Sequence, residues 1–155
     1  MYDRLADFLV ENLDLIRASV ILEAGCGSGQ LTLPFAEKVV KIKQKCKIIA
    51  FDISSGPYMG RLDLLKEKVR ERRLERVVTA IEGDVRNMEA IDEESVDLII
   101  SNELFCDLDR QGLGMALKEF FRILKADGQM AHGMLSPVPE NEVLEFKITT
   151  IYHKT

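Results

Sequence analysis

Carboxylates and glycines recur in the first half of the chain, each set just after an apolar run. The segment Glu23–Gly29 reads EAGCGSG, and its three glycines let the backbone turn sharply and approach a ligand closely. Asp52 ends the apolar run 47–51, where its carboxylate could accept hydrogen bonds from both hydroxyls of a ribose. Asp84 follows a third run and could accept a hydrogen bond from an exocyclic amine, while Val85 offers an apolar contact. Together these positions predict a nucleoside site.

Polar residues also follow a fourth apolar run, where a second substrate would meet the first. Ser101 and Asn102 supply these polar groups. If the reaction removes a proton, a general base is needed, and the two candidates are Glu103 and His132. Each has a structural alternative, because Glu103 could cap the following loop or helix and a lone strand histidine is usually structural. The catalytic residue therefore stays unassigned.

Composition narrows the class of protein. A chain of 155 residues, 46% hydrophobic and 30% charged, fits one globular domain. Its net charge of -5 argues against a broad nucleic-acid surface. The three cysteines are far apart without a CxxC pattern, so we expect no metal site and no disulfide framework, and a reducing cytoplasm is the simplest location. Acidic residues within the first 16 positions argue against a signal peptide, and no apolar run reaches the ~18 residues of a membrane span.

The elements that must position these residues alternate between strand and helix patterns. Apolar runs predict strands, and helical spacing predicts helices between them. The strands are expected near 20–22, 47–52, 77–81, 95–101 and 129–135, and the helices near 5–16, 30–42, 57–74 and 109–124, with 87–90 as a further short helical segment. Parallel strands need crossovers that cover the sheet, so the predicted fold is α/β, a three-layer αβα sandwich with five parallel strands. Ligands bind such sheets beyond the carboxyl ends of the strands.

Apolar spacing predicts which face each helix buries. In the first helix the expected face is Leu5, Phe8, Leu9, Leu13 and Ile16. In the third it is Leu62, Leu65 and Val69, which leaves the mixed charges of 66–73 in solvent. In the fourth it is Leu113, Ala116, Leu117, Phe120, Phe121 and Leu124, and Gly128 is expected to end that helix in a left-handed conformation.

The last twenty residues follow a different pattern. Apolar residues alternate with polar ones over 144–152, which predicts an antiparallel edge strand. A helix beginning near Glu140 is the alternative. We expect the strand to pair either with a second copy of the chain or with the chain's own sheet, because an exposed edge is normally covered.

The motifs resemble those of class I S-adenosylmethionine-dependent methyltransferases, whose domain is Rossmann-like. The resemblance runs from about Leu5 to Pro139. The family's first motif is an acidic residue followed by GxGxG, which Glu23 and the glycines at 25, 27 and 29 match; its second is an acidic residue ending the next strand, which Asp52 matches in IAFDIS. The stretch FFRILKADGQ also resembles the family's later helix, turn and strand.

The resemblance implies a role for each matched residue. Asp52 would bind the ribose hydroxyls, Ile53 would line one adenine face, and Asp84 with Val85 would hold the adenine edge. The glycine loop would cradle the methionine portion, with Glu23 near its ammonium group. The full expected set for S-adenosylmethionine is Glu23, Ala24, Gly25, Gly27, Gly29, Asp52, Ile53, Gly83, Asp84, Val85, Ser101 and Asn102.

Two other nucleotide-binding classes fit less well. A nicotinamide-binding loop needs GxGxxG or GxGxxA, whereas the third glycine here comes one position early. A phosphate-binding loop needs a following Gly-Lys-Ser/Thr, which this loop does not have. Carboxylates around the site instead suit a sulfonium and an ammonium group.

The expected function is transfer of a methyl group to a small-molecule acceptor by in-line displacement. The alternative is a non-catalytic S-adenosylmethionine-binding or regulatory protein that needs a partner to complete its acceptor site. We expect one domain over 1–155, divided into an N-terminal helix (1–19), a cofactor-binding core (20–135) and a shortened C-terminal segment (136–155). The family's sheet usually has seven strands ending in an antiparallel hairpin, and this chain leaves room for one further strand, so a homodimer through that edge is expected as one arrangement.

Overall fold

The strands form one six-stranded sheet in a computed structural model that describes residues 1–42, 45–135 and 146–155. The strands are β1 (Val20–Ala24), β2 (Lys47–Asp52), β3 (Val78–Glu82), β4 (Val96–Asn102), β5 (Leu124–Leu135) and β6 (Phe146–His153). Their order across the sheet is β3-β2-β1-β4-β5-β6, with β1 to β5 parallel and β6 antiparallel. The predicted α/β fold is therefore confirmed. From β1 the chain adds β2 and β3 on one side and then β4 and β5 on the other, so the strand order reverses between β1 and β4. In sheets of this kind a crevice opens at that point, at the carboxyl ends of the strands.

Helices cover both faces of this sheet. They are α1 (Tyr2–Asn12), α2 (Thr32–Ile42), α3 (Arg61–Glu71) and α4 (Arg110–Ile123), and two short 3₁₀ turns lie at Gly56–Tyr58 and Phe105–Asp107. One apolar cluster packs α1, α2 and α3 against the sheet through residues such as Leu9, Phe35 and Leu65. A second packs α4 and the segment 85–91 against the other face through Phe120 and Met88. Within the described ranges, none of these helices is long and apolar enough to cross a membrane.

The predicted buried faces of two helices were wrong in part. Leu5 and Leu9 of α1 are buried as expected, and so is Leu13, just beyond the helix. Phe8, within the helix, is 43% exposed, and Ile16, beyond the end of the helix at Asn12, is 83% exposed. In α4 the buried face is Gly112, Ala116, Phe120 and Ile123. Leu117 and Phe121 lie to one side of that face and are exposed.

Three predicted element boundaries were also wrong. The helix expected from Pro57 is a 3₁₀ turn, and α3 begins only after Gly60, which has a φ of 78°. The 87–90 segment is a turn rather than a helix, closed by the Ile91 amide donating to the Met88 carbonyl at 3.0 Å. In addition, α4 ends at Ile123, ahead of the predicted stop at Gly128.

Pairing with the last strand explains the early end of α4. Asp127, with a φ of 62°, takes the left-handed conformation that was expected at Gly128. The Asp127 amide donates to the Lys154 carbonyl at 2.7 Å, and the Lys154 amide donates to the Gly128 carbonyl at 2.9 Å. The Lys154 ammonium group also donates to the carbonyls of Phe121 and Leu124 at the end of the helix. Residues 126–128 therefore lie within β5, and the hydrogen bonds to Lys154 extend its pairing with the last strand.

The predicted edge strand is confirmed where the structure describes it. β6 pairs antiparallel with β5 from Gln129 opposite His153 to Leu135 opposite Phe146, so it covers the edge of its own sheet. Residues 144 and 145 of the predicted strand, and the start of the alternative helix near Glu140, lie outside the described residues. The homodimer stays a prediction.

One carboxylate ties three strands together at the amino edge of the sheet. Asp97 Oδ2 accepts hydrogen bonds from the amide of Val20, the first residue of β1, at 2.8 Å and from that of the preceding Ser19 at 2.9 Å. Its other oxygen accepts from the Lys125 ammonium group of β5 at 2.9 Å. The strands that flank the crevice are thus joined at the end away from it.

Candidate functional site

A cavity of about 250 Å³ lies at the carboxyl edge of the sheet, over the crevice between β1 and β4. Eight of the residues predicted to bind the cofactor line it, and they come from all four strands that were expected to contribute. These are Glu23, Gly25, Gly27, Asp52, Ile53, Asp84, Val85 and Asn102. The residue types selected by the sequence motifs therefore meet at one place.

Asp52 holds the glycine loop in position. Its Oδ2 accepts a hydrogen bond from the Gly27 amide at 2.5 Å, and its Oδ1 accepts one from the Ile53 amide at 2.7 Å. Gly25 and Gly27 have φ values of 74° and 52°, a left-handed region that favours glycine. Burial raises the pKa of Asp52, while the hydrogen bonds from the two amides act in the opposite direction. Asp52 therefore joins the first two motifs directly.

Glu23 is a buried carboxyl group that points to a cationic ligand. Its side chain is 2% exposed and lines the cavity, and its Oε2 has no hydrogen-bond partner among the described residues. Burial raises its pKa to about 8; Asp52 adds to the increase and Thr32 opposes it. A buried polar atom without a partner is costly, and a bound ammonium group would provide one. Asn102 Oδ1 is a second buried oxygen without a partner in this part of the structure, and Asn102 also lines the cavity.

Asp84 is held by a neighbouring guanidinium group. Arg86 donates to both oxygens of the Asp84 carboxylate, and its Nη2 lies 2.5 Å from Oδ2. This hydrogen bonding lowers the pKa of Asp84. The carboxylate therefore stays ionised at neutral pH beside Val85, with its orientation fixed at the cavity wall.

Four other predicted residues lie behind the cavity rather than on its surface. A Cβ atom at Gly83 would collide with the ring of Phe51, and one at Gly29 would collide with Leu65. Ala24 is fully buried in the core. The fourth residue, Ser101, is also buried, and its hydroxyl is within hydrogen-bond distance of His132. The structure thus gives Gly29 and Gly83 a packing role, because any side chain there would displace a neighbour.

The two candidate general bases have different environments. His132 is buried, with Nδ1 2.8 Å from Ser101 Oγ and its ring stacked on Phe105 at 3.6 Å between centroids. Burial lowers its pKa to about 4, so the ring is neutral at pH 7. Glu103 lines the cavity, and its amide donates to the Gly133 carbonyl at 2.9 Å. The histidine is therefore set into the wall, and the glutamate faces the cavity.

The sequence patterns did not identify several residues that complete the cavity. All of them lie in loops, in short turns or at the start of a helix, where no apolar periodicity identifies them. They are Tyr2, Gln30, Leu31, Tyr58, Arg61, Arg86, Leu104, Asp107 and Leu108. Cys26 also lines the cavity, but burial strongly raises its pKa, so it is a thiol rather than a thiolate. In the described ranges there is no group of three or more His, Cys, Asp or Glu residues that could hold a metal ion.

Fold and site together define a Rossmann-like domain with a glycine loop and acidic strand ends. The family model of the methyltransferase domain matches residues 21–128, and the chain belongs to this family. It is 36% identical over 110 residues to malonyl-[acyl-carrier protein] O-methyltransferase of Priestia megaterium. That alignment covers 71% of this chain but only 34% of the relative.

Solved structures agree on the fold. A structure from Methanococcus maripaludis, described as an S-adenosyl-L-methionine-dependent methyltransferase, matches with a TM-score of 0.72 and 24% identity, over 86% of this chain and 55% of that one. Geranyl diphosphate methyltransferase in complex with S-adenosylmethionine matches with a TM-score of 0.70 and 18% identity, over 86% and 49% of the two chains. S-adenosylmethionine is the cofactor of this family.

Proposed function

We propose that this chain is the catalytic domain of an S-adenosylmethionine-dependent methyltransferase that acts on a small-molecule acceptor in the cytoplasm. The observation that carries the proposal is the buried Glu23 carboxyl, which lines the cavity beside the glycine loop and has one oxygen that no described residue hydrogen-bonds. S-adenosylmethionine has an ammonium group for Glu23 and ribose hydroxyls for Asp52. The residues present therefore fit the cofactor of the family.

The residues of the chain would bind and orient the two substrates. When bound, S-adenosylmethionine supplies a methyl group already activated on a sulfonium. The Gly25–Gly27 backbone, fixed by Asp52, leaves room for the methionine portion, and Val85 contributes an apolar surface for the base. Leu104 and Leu108 line the same cavity and would exclude water from the reacting groups. Orientation and exclusion of water are the main contributions that an in-line displacement needs.

We propose Glu103 as the general base for acceptors that must lose a proton. Glu103 lines the cavity, whereas His132 is buried and lies within hydrogen-bond distance of Ser101. A positioned base contributes about 10²–10⁴-fold to a rate, so Glu103→Gln should lower kcat within that range for such an acceptor. His132→Gln should have a smaller effect on kcat, because the buried ring contacts Ser101 and Phe105 and serves a structural role. A larger loss from the histidine substitution would reverse this assignment.

Binding and transfer are tested separately. Calorimetry with S-adenosylhomocysteine measures the cofactor site, and a tritiated-methyl assay over a panel of small alcohols, amines, thiols and carboxylic acids measures transfer. Binding together with transfer supports the proposal. Binding without transfer to any acceptor would instead favour the non-catalytic function that needs a partner, and absence of binding would overturn the assignment of the cofactor.

A further inference from the structure

The segment 104–108, which we call the acceptor wall, forms one side of the cavity. It follows β4 and contains the 3₁₀ turn Phe105–Asp107. Leu104, Asp107 and Leu108 line the cavity. A Cβ atom added to Gly25 would lie 3.0 Å from Leu104 Cδ1, so the wall is packed directly against the glycine loop. If the proposed function holds, this contact places the wall over the methionine end of the cofactor.

The side of the wall nearest the sheet is anchored by an aromatic contact. The ring of Phe105 stacks on His132, with centroids 3.6 Å apart and planes 19° from parallel. His132 is in turn fixed by its 2.8 Å contact with Ser101, and both residues are buried. This anchor connects the wall to β4 and β5.

The outer side of the wall is held by a hydrogen bond across the cavity mouth. The Tyr58 hydroxyl donates to Asp107 Oδ2 at 2.6 Å, joining residues that are 49 positions apart. Tyr58 belongs to the turn after β2, the strand that ends in Asp52, and it also lines the cavity. The Arg61 guanidinium carbon lies 4.9 Å from the centre of the Tyr58 ring and supports it from α3.

The chemistry of this bond makes it persistent at neutral pH. The hydrogen bond to Asp107 raises the pKa of the Tyr58 hydroxyl, which keeps its proton and remains the donor. The acceptor is a carboxylate, and hydrogen bonds to charged groups are the stronger kind. The bond therefore connects the turn after β2, on the side of Asp52, to the acceptor wall after β4.

We propose that Tyr58 is a positioning residue, which acts through Asp107 to hold the acceptor wall closed over the cofactor and so slows release of the cofactor. The inference rests on the proposed function only in the identity of the ligand. Outward movement of the wall, which would widen the cavity for a ligand to leave, would require the Tyr58–Asp107 bond to break.

The test compares Tyr58→Phe, Asp107→Ala and the double variant. Tyr58→Phe keeps the ring and its contact with Arg61 and removes only the donor. Surface plasmon resonance on the immobilised chain measures dissociation of S-adenosylhomocysteine. Because the bond is partly exposed to solvent, we expect each single variant to increase the dissociation rate about 3- to 10-fold, and the double variant to increase it no further.

A second readout needs no ligand. Amide hydrogen exchange at 104–108 should be faster in Tyr58→Phe than in the unmodified chain, while exchange within β1 and β4 stays the same. A purely structural role would lower the melting temperature and leave the dissociation rate unchanged. Dissociation rates within twofold of the unmodified chain, or independent additive effects of the two substitutions, would overturn the inference. Failure of the unmodified chain to bind S-adenosylhomocysteine would count against the proposed function itself.

Discussion

Glu23 should make the stability of the unliganded protein decrease with rising pH. Its carboxyl group is buried at the end of β1, and burial raises its pKa to about 8 from the usual 4.5 of an exposed glutamate. Between these two values the folded protein holds one proton more than the unfolded chain. The free energy of unfolding therefore falls as pH rises, by a little over 1 kcal/mol for each pH unit.

The substitution Glu23→Gln isolates this effect, because glutamine has nearly the same size and never ionises. Below about pH 4.5 the variant and the unmodified chain should be equally stable, since residue 23 is then neutral in both the folded and the unfolded protein. Near pH 6 the variant should be more stable by about 2 kcal/mol, and near pH 8 by about 4 kcal/mol. Urea unfolding followed by circular dichroism at several pH values measures the difference, and contributions from other groups cancel because both proteins contain them.

The same substitution that stabilises the unliganded protein should weaken its binding of the ligand. A neutral amide cannot form an ion pair with an ammonium group, so Glu23→Gln should weaken binding of S-adenosylhomocysteine at least about tenfold. Glu82→Gln is a matched control, because Glu82 is an exposed carboxylate at the same end of the sheet, on the edge strand β3. Equal dependence of stability on pH in Glu23→Gln and the unmodified chain would refute the reasoning from burial.

Three further predictions test the site and the fold. Asp52→Ala should weaken binding of S-adenosylhomocysteine by about 1–3 kcal/mol in calorimetry, with Glu82→Ala unchanged. Burial lowers the pKa of His132 to about 4, so the unmodified chain should lose stability as pH falls below about 6.5, where the histidine of the unfolded chain takes up a proton. His132→Gln should remove this dependence on pH, which urea unfolding at several pH values measures. Gly83→Ala should lower the free energy of unfolding by about 1–3 kcal/mol because its methyl group meets a phenyl ring, whereas Gly114→Ala, with open space on α4, should raise it by about 1 kcal/mol; urea unfolding measures both.

The sequence predicted the location of the site because parallel strands bring their carboxyl ends to one edge. Glu23, Asp52 and Asp84 each follow an apolar run, so a strand prediction alone placed them together. The spacing of the glycines also identified a loop whose backbone needs positive φ values. Both signals come from residues that are close together in the sequence, so they can be recognised without knowing which distant segments meet in the fold.

Contacts between distant segments could not be predicted in the same way. Tyr58 and Asp107 both lie in turns with no periodicity, and their hydrogen bond depends on where β2 and β4 fall in the sheet. The exposed Phe121 shows a related difficulty, because a wide apolar stripe on a helix does not specify which of its edges turns inward. Only the packing against the neighbouring elements decides that.

The hydrogen bonds of Asp97 have a consequence for protein engineering. They join β1, β4 and β5 at the amino edge, while the cavity is built by loops at the carboxyl edge. The interactions that hold the strands together are therefore separated from those that select a ligand. Loops from another scaffold could be grafted after β2 and β4 to recognise a new acceptor without disturbing the residues that keep the sheet assembled.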